Sequence, residues 1–251
     1  MPQQALSKNN HQLKPYQNPE IIELGIDEAG RGCLFGSLFI ASVILPNHFL
    51  ELIEDNKITI KDSKKMSKKK RLESEQFIKK HALSYSIHEV SSSLIDEKNI
   101  LKCTLEGMHE VVRNSSLKPD KILVDGNKFY PYYDEEDNII LHECIIGGDN
   151  NYLSIACASI LAKTAKDNYI KDMVEKYNYL EKYDLLNNSG YGTKKHIEAI
   201  QSFGISEFHR KTFGICNGVM KKDKIKKKKD DYQIKKHELN KIIQNCSLFK
   251  S

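Results

Sequence analysis

Short apolar runs that end in charged residues or glycine dominate the first half of the chain. Residues 21–26 are mostly isoleucine and leucine and are followed at once by Asp27 and Glu28, and a second apolar run covers residues 38–45. Runs of this length, rich in β-branched residues, predict strands, and the glycine-containing turn between these two favours antiparallel neighbours. Residues 82–90 predict a third strand.

The middle of the chain adds further strands and longer helices. A polar helix is expected to end near Lys80, and apolar spacing over residues 94–112 predicts a helix preceded by serines suited to cap it. Two more strands are predicted at residues 121–126 and 139–146, and a long helix at residues 150–177. The order β-β-β-α-β-β-α, with helix pairs at the end, predicts a mixed α/β sheet covered by helices.

At 251 residues the chain is long enough for one domain with short extensions. We expect a flexible leader at residues 1–18, a catalytic domain at residues 19–216 and a lysine-rich extension at residues 217–251, whose second half has the spacing of a short amphipathic helix. Residues 221–251 hold eleven lysines against four acids, so this segment accounts for the net charge of +5. A nucleic-acid partner must therefore be inferred from local patches or from the extension, because the rest of the chain is slightly acidic.

Several classes of protein are disfavoured by what the sequence lacks. No run of about eighteen apolar residues is present, so a membrane span is not expected. Residues 1–19 lack the basic-then-apolar layout of a secretion signal. The six cysteines are scattered without a CxxC pair, which argues against a zinc site or a disulfide framework. We therefore expect free thiols and a cytoplasmic protein.

Four acids occupy places where the side chains of a sheet can converge. Asp27 and Glu28 follow the first predicted strand, Asp125 ends a later strand and Asp149 precedes the long helix. Taken singly, the adjacent pair could be a solvated acidic turn, Asp125 a turn residue and Asp149 a helix cap. Four carboxylates brought together repel one another unless cations neutralise them, and oxygen ligands without a His or Cys pattern favour Mg²⁺ or Mn²⁺. The set predicts two such ions that activate a water for in-line attack on phosphorus.

Two glycine-containing segments and one basic run are candidate substrate contacts. Gly30 and Gly32, on either side of Arg31, let the backbone approach a ligand and allow the bend that the adjacent acids need to share a site. Tyr191 lies between two glycines and can project against a nucleotide, although a partly buried loop tyrosine is the ordinary alternative. Residues 61–71 hold seven basic residues and one acid, consistent either with a solvated helix entrance or with a patch that contacts phosphate.

These segments together resemble ribonuclease HII, the bacterial type 2 ribonuclease H family. The resemblance runs from about residue 23 to residue 214 and consists of five motifs in the family's order. The motifs are Asp27 to Gly32; Asp62 to Met66; Val124 to Gly126; Gly148-Asp149 with Ser154 to Lys163; and Gly190 to Thr193 with His196 and His209 to Phe213.

The resemblance implies a ribonuclease H-like α/β fold, with a mixed sheet flanked by helices, and endonucleolytic cleavage of RNA paired with DNA. It also implies incision at single ribonucleotides embedded in duplex DNA, and products with 5′-phosphate and 3′-hydroxyl ends. Carried over by motif, Asp27, Glu28, Asp125 and Asp149 would be the catalytic acids and would hold the metals, Mn²⁺ or Mg²⁺.

Substrate recognition is implied by the same motifs. The backbone around Gly30, Arg31 and Gly32 would sense the 2′-hydroxyl, the group that distinguishes RNA from DNA, and Tyr191 would pack on the sugar at the RNA–DNA junction. Phosphate contacts position a duplex without reading its sequence. The candidates for such contacts are Lys64, Lys65, Lys163, Lys194 and Arg210, and His196 and His209 are expected to pack or to form hydrogen bonds instead of catalysing.

The chain departs from the family pattern at a few positions. Gly147 stands where a lysine is usual, and Cys157 replaces an alanine in the run of small residues. Ala165 and Lys166 stand where a bulkier residue and an arginine are usual. Asp167 is expected to be a structural ion-pair partner and not a metal ligand.

Two other functions stay open at this point. Another nuclease of the ribonuclease H-like superfamily, such as a resolvase or integrase, is disfavoured by the Gly-Arg-Gly turn and the Gly-Tyr-Gly-Thr loop. A catalytically silent hybrid-binding protein is disfavoured because four acids held together without cations would be destabilising. The expected partners are RNA–DNA hybrids and ribonucleotide-containing duplex DNA, and the expected state is a monomer.

Overall fold

The structure is a computed structural model that describes residues 13–219, and its centre is a six-stranded sheet. Strand β1 lies between an antiparallel neighbour, β2, and a parallel neighbour, β4, and the spatial order of the strands is β3-β2-β1-β4-β6-β5. This arrangement confirms the mixed α/β sheet. The strands are β1 (Glu23–Ala29), β2 (Leu38–Ile44), β3 (Ser84–Val90), β4 (Lys121–Asp125), β5 (Tyr132–Tyr133) and β6 (Ile139–Ile145).

Helices cover the sheet and extend beyond it toward the C-terminal end of the described residues. Short 3-10 turns occur at Ser63–Lys65, Gly148–Asn150 and Asn178–Tyr183, and residues 214–219 are helical. The α-helices are α1 (Phe49–Asp55), α2 (Lys68–His81), α3 (Ser92–Lys98), α4 (Ile100–Arg113), α5 (Leu153–Lys176), α6 (Leu185–Asn188) and α7 (Lys194–Phe203).

Helix α5 lies directly against β1. Its residues 153–162 are all buried, and several of them are small. A methyl group added at Gly25 would lie 2.5 Å from the carbonyl carbon of Ser154 and 2.6 Å from the backbone nitrogen of Ile155. Only a glycine therefore allows the helix to approach β1 this closely, and the approach places Ser159 of α5 near enough to Asp27 to lower the pKa of that carboxyl.

Apolar side chains fill both faces of the sheet. One cluster, which includes Ile26 and Val124, packs the central strands against α3 and α4. On the opposite face, residues such as Val43 pack against α2 and α5. A third cluster, centred on Phe35 and Tyr183, joins the segment after β1 to the second half of α5 and to α7. The strand that carries two of the predicted acids is thus packed on both of its faces, and the segment that follows it is held by the third cluster.

The observed elements differ from the predicted ones in three places. The single helix expected over residues 94–112 is two helices, because Asn99 adopts a φ of 71° and its side chain accepts a hydrogen bond from the backbone N–H of Lys102. The structure contains helix α1 and the short edge strand β5, which the sequence pattern did not predict. Strand β1 continues to Ala29, so Asp27 and Glu28 lie within the strand and not after it.

The expected domain boundaries fall inside the described structure. The backbone of Lys14 exchanges hydrogen bonds with Asn151 and Leu153, and the backbone N–H of Gln17 donates to the Glu23 carboxylate. Residues 14–17 of the expected leader therefore contact the catalytic domain, and the helical residues 214–219 span the boundary expected at 217. Residues 1–12 and 220–251, with most of the lysine-rich extension, lie outside the described residues. None of the helices within 13–219 is long and apolar enough to cross a membrane.

We expect Gly25→Ala to lower the free energy of unfolding by roughly 3 kcal/mol. The added methyl group would collide with the backbone of Ser154 and Ile155, which cannot rotate away as a side chain can. Denaturant unfolding of the variant and the parent measures the difference.

Gly218→Ala is the matched control, because a methyl group at Gly218 meets no atom of residues 13–219 within 4 Å. Its unfolding midpoint should equal or slightly exceed that of the parent, since alanine favours a helix more than glycine does. Equal midpoints for Gly25→Ala and the parent would contradict the close packing of α5 on β1.

Candidate active site

Asp27 and Asp125 occupy neighbouring positions on the two central strands. β1 and β4 are parallel and pair residue by residue up to the positions just before these aspartates. Asp27 is buried, and its Oδ1 accepts the backbone N–H of Glu28 at 2.7 Å. The neighbouring Ser159 hydroxyl, which is hydrogen-bonded to Ser63 at 3.0 Å, partly offsets the rise in the pKa of Asp27. The strand register therefore brings two of the four predicted acids together.

Asp149 is joined to Asp125 through the turn that follows β6. Oδ1 of Asp125 accepts the backbone N–H of Gly148 at 2.7 Å. Asp149 comes next in the chain and is buried, and its Oδ1 accepts the side-chain amide of Asn150 at 2.9 Å. The alternative role of Asp149 as a helix cap is wrong, because the N-cap of α5 is Tyr152 and the helix has no side-chain cap.

Glu28 differs from the other acids because it faces a cation. Its Oε1 lies 3.5 Å from the guanidinium of Arg31, and the charge of Lys64 is also nearby. Asp27 and Glu28 are consecutive strand residues, yet both are close enough to Asp125 to be affected by its charge. The expected bend between the two acids is absent, because the pairing of β1 with β2 continues through both of them to Ala29.

Burial and mutual repulsion raise the pKa of three of these carboxyls. Burial is the largest cause for Asp27, whose pKa lies well above its usual range, and the charges of Glu28 and Asp125 raise it further. Burial also raises the pKa of Glu28, against the opposing effect of Arg31. The pKa of Asp125 is raised by burial and then by the charge of Asp149. Acids in this condition favour a bound cation, which offsets both effects.

The donor set suits a hard divalent cation. The four acids offer carboxylate oxygens alone, the ligands that Mg²⁺ and Mn²⁺ prefer. Within residues 13–219, no three acid, histidine or cysteine side chains form a ready-made metal cage. The acids are held instead by the hydrogen bonds and the ion pair described above, so metal binding requires some of these side chains to rotate. What favours a metal here is therefore the type of ligand atoms, which are carboxylate oxygens, and not their present arrangement.

The loop that carries Tyr191 is fastened to the segment after β1. The carbonyl of Gly190 accepts the N–H of Leu34 at 2.8 Å, and a Cβ at Gly190 would lie 2.8 Å from the carbonyl oxygen of Phe35. Tyr191 keeps 39% of its surface exposed. Partial burial and the neighbouring Cys33 thiol raise the pKa of Tyr191 to about 12, so the phenol stays protonated at neutral pH. Its ring is accessible to a sugar from solvent.

Arg210 does not lie where a phosphate contact was expected. Its side chain is fully buried, with Nε donating to the carbonyl of Gly36 at 2.9 Å and Nη1 to that of Arg31 at 3.0 Å. Nη2 has no hydrogen-bond partner among the residues described. The structure therefore replaces the expected direct contact with an indirect one, in which Arg210 fixes the backbone of the turn from Gly30 to Gly32.

The candidate lysines differ in their freedom to meet a phosphate. Lys64 is exposed beside the carboxylates, whereas Lys163 forms an ion pair with Asp167. The same Asp167 accepts a hydrogen bond from Arg71 at 2.9 Å, which confirms its expected structural role. Lys65 and Lys194 are exposed.

The two histidines of the last motif form a buried hydrogen-bonded pair. Nδ1 of His196 lies 2.9 Å from the carbonyl oxygen of Tyr191, and its Nε2 lies 3.1 Å from Nε2 of His209. Because a carbonyl only accepts, His196 carries its proton on Nδ1 and His209 donates to it. Burial lowers the pKa of both imidazoles, to about 3 for His209, so the pair is neutral. This is the structural role expected of both residues, and it holds the Tyr191 loop.

Lys166 is the residue of this region that the motifs did not identify. It is 1% exposed, and its Nζ lies 4.4 Å from the centre of the Tyr191 ring. The signal that could have found it is helical spacing, which places position 166 on the same buried face of the long helix as Ser159 and Ala162. A lysine on that face needs a specific reason to be there.

Comparison with known sequences points to one family. A family model described as Ribonuclease HII matches residues 24–216. Relatives named Ribonuclease HII from Parabacteroides distasonis and Bacteroides thetaiotaomicron are each 44% identical to this chain. The two alignments cover 80% and 81% of this chain, and 94% of each relative.

Solved structures agree on the fold. The ribonuclease H2 from Pyrococcus horikoshii superposes with a TM-score of 0.66 at 22% identity, over 80% of this chain and 98% of that one. A Bst ribonuclease HIII in complex with Mn²⁺ superposes with a TM-score of 0.60 at 17% identity, over 80% of this chain and 69% of that one. These likenesses confirm the ribonuclease H-like α/β fold. With the family model and the relatives, they establish that the chain belongs to the ribonuclease HII family and is a metal-dependent hydrolase of the ribonuclease H type.

Proposed function

We propose that this protein is an endonuclease that hydrolyses the RNA strand of RNA–DNA hybrids and incises 5′ of single ribonucleotides in duplex DNA. The products would carry 5′-phosphate and 3′-hydroxyl ends. The observation that carries the proposal is the gathering of Asp27, Glu28, Asp125 and Asp149 at the open edge of the central strands, within the span matched by the family model.

Asp27, Glu28, Asp125 and Asp149 would hold Mn²⁺ or Mg²⁺, and the manganese complex of the ribonuclease HIII neighbour supports a divalent ion. Divalent ions held by these acids would supply a nucleophilic water and stabilise the leaving oxygen of an in-line displacement. The chain's own contribution is to hold the acids at one edge. Once Glu28 turns to a cation, the exposed Arg31 loses its partner and becomes free to meet a backbone phosphate.

Recognition of the 2′-hydroxyl is assigned to the turn from Gly30 to Gly32 and to Tyr191. A methyl group at Gly32 would meet no atom of the described part of the chain within 4 Å, which supports a backbone open to a ligand there. Arg210 supports this turn by donating a hydrogen bond from its Nη1 to the carbonyl of Arg31, and the two buried histidines hold the Tyr191 loop. Rigid support of this kind favours discrimination between sugars that differ by one hydroxyl.

Lys64 is the best placed candidate for a phosphate contact, because it is exposed and lies beside Glu28 and Asp125. Lys163 would have to leave Asp167 to make such a contact. The substrates are then RNA–DNA hybrids and ribonucleotide-containing duplex DNA, held mainly through phosphates. A monomer that acts in the cytoplasm is part of the same proposal.

Two rival functions are tested by the same experiments. Another ribonuclease H-like nuclease would use the acids but would not depend on a ribonucleotide in the cleaved strand. A hybrid-binding protein without catalysis would bind duplexes and leave them intact in any metal. The raised pKa of the clustered acids favours a metal-loaded enzyme over the silent hybrid-binding protein. Dependence of cleavage on a ribonucleotide separates the proposed function from the other nuclease.

We expect Asp125→Asn to lower kcat by about three orders of magnitude or more while the domain stays folded. The asparagine Oδ1 can still accept the N–H of Gly148, so the turn is kept and only the charge is lost. Cleavage assays in Mn²⁺ and Mg²⁺, together with thermal unfolding, measure the two effects.

Glu143→Gln is the matched control, because Glu143 is an exposed acid of β6 that pairs with Lys121 at 2.8 Å, away from the cluster. It should keep nearly full activity. A well-folded and active Asp125→Asn would remove the metal-ligand assignment.

We expect the parent to cut a labelled DNA duplex immediately 5′ of a single ribonucleotide, with Mn²⁺ or Mg²⁺ but not with chelator. Tyr191→Ala should reduce this cleavage by about tenfold or more, because the ring that packs on the junction sugar is lost. Gel analysis of the products gives both the position of the cut and its rate.

Tyr179→Ala is a suitable comparison, since Tyr179 is also exposed and its hydroxyl bonds to Glu207, outside the site. If the parent cuts only long hybrids, the protein is a nuclease but the proposed recognition of the RNA–DNA junction is wrong. Binding without any cutting, in either metal, would favour the silent-binder alternative.

A further inference from the structure

Lys166 is a buried cation that forms no ion pair with a carboxylate of residues 13–219. It lies in the middle of α5 with 1% of its surface exposed, and the adjacent acid Asp167 is engaged by two other cations. The polar groups beside its ammonium are the Ser189 carbonyl and the Cys33 thiol. Burial lowers the pKa of Lys166 because the charged form is poorly solvated there. Because burial of an ammonium costs free energy, a buried lysine indicates a functional role more than a contribution to core stability.

The aliphatic stem of Lys166 lies against the turn that follows β1. A methyl group added at Gly30 would lie 3.0 Å from both Cδ and Cε of Lys166. The stem therefore touches the backbone at Gly30, which has a φ of 96°. Because α5 is fixed against the sheet, this contact limits how far the turn can move toward the helix.

The ammonium of Lys166 lies against the Tyr191 loop. It donates to the carbonyl of Ser189, which also accepts the Cys33 thiol at 3.6 Å, and it lies 4.4 Å from the centre of the Tyr191 ring. A cation at this distance from an aromatic ring is attracted to it. The contact therefore holds the ring and the loop at a set distance from α5.

We propose that Lys166 is a positioning residue that sets the gap between the backbone at Gly30 and the ring of Tyr191, and thereby the discrimination of ribonucleotide from deoxyribonucleotide at an RNA–DNA junction. This inference rests on the proposed function, in which those two elements sense the 2′-hydroxyl. They come from distant parts of the chain, and one buried side chain touches both. Its stem and its charge act on different elements, so the two contributions can be separated.

A purely structural role for Lys166 leads to a different expectation. A residue that only fills space between α5 and the loops would, when replaced, lower stability and slow all substrates alike. A residue that sets the gap should affect most the substrate that offers a single 2′-hydroxyl. In a long hybrid every RNA nucleotide carries that group, so a poor fit in one register can be offset by binding in another.

The test compares three replacements of Lys166 on two substrates. Lys166→Met keeps most of the stem without charge or donor, Lys166→Gln keeps a donor for the Ser189 carbonyl, and Lys166→Arg keeps the cation. The values of kcat and KM are measured below the unfolding midpoint of each variant, on a duplex with one ribonucleotide and on a long hybrid. The specificity ratio is kcat/KM on the duplex with one ribonucleotide divided by kcat/KM on the long hybrid. We expect Lys166→Met to lower this ratio by about tenfold. Lys166→Arg should restore most of that ratio.

Lys171→Met is the matched control on the same helix. Its ammonium is exposed and lies 3.4 Å from Glu175, so its loss should leave the ratio unchanged. If Lys166→Met does not fold, the proposal is tested by comparing Lys166→Arg with Lys166→Gln. The glutamine variant, which lacks the charge, should then have the lower specificity ratio.

Equal losses on both substrates, or equal ratios for the arginine and glutamine variants, would overturn the positioning role. A parent protein that cuts neither substrate would contradict the proposed function itself. The two failures are distinguishable, because the parent is assayed beside every variant.

Discussion

Repulsion among carboxylates at the open edge of β1 and β4 is the constraint on which the site depends. Strand register and backbone hydrogen bonds hold Asp27, Glu28 and Asp125 there, and burial raises the pKa of each. An acid whose folded pKa is raised contributes stability below its unfolded pKa, and that contribution is lost as the pH rises through the folded pKa. At neutral pH the metal-free site therefore opposes folding. A divalent cation would remove that opposition, which is the physical basis of the proposed metal site.

Helix α5 places the two halves of the site relative to each other. Gly25 allows the helix to lie against β1, and Ser159 then reaches Asp27. Two turns further along, Lys166 contacts both Gly30 and the Tyr191 ring. Because one packed helix supports the acids and the proposed 2′-hydroxyl sensors, a shift of that helix would disturb chemistry and recognition together.

The acids were predictable because each leaves a local trace, as Asp125 does at the end of an apolar run before a glycine. Features that depend on long-range contacts leave no such trace. Arg210 lies in a basic motif typical of phosphate binding, and only the folded chain shows its guanidinium turned toward backbone carbonyls. The partners of Lys166 come from the β1 turn and the loop after α6. At Asn99, a positive φ ends a helix although the apolar spacing continues across it.

The most direct test is thermal unfolding of the chelator-treated protein as Mn²⁺ is added at about pH 7.5. The account predicts that the midpoint rises with Mn²⁺ concentration until it saturates. The rise should be smaller at about pH 5, where protons already offset the repulsion. It should be nearly absent in a variant that carries both Asp27→Asn and Asp125→Asn. No rise in the parent, or an equal rise in that variant, would contradict the assignment of these acids as the metal site.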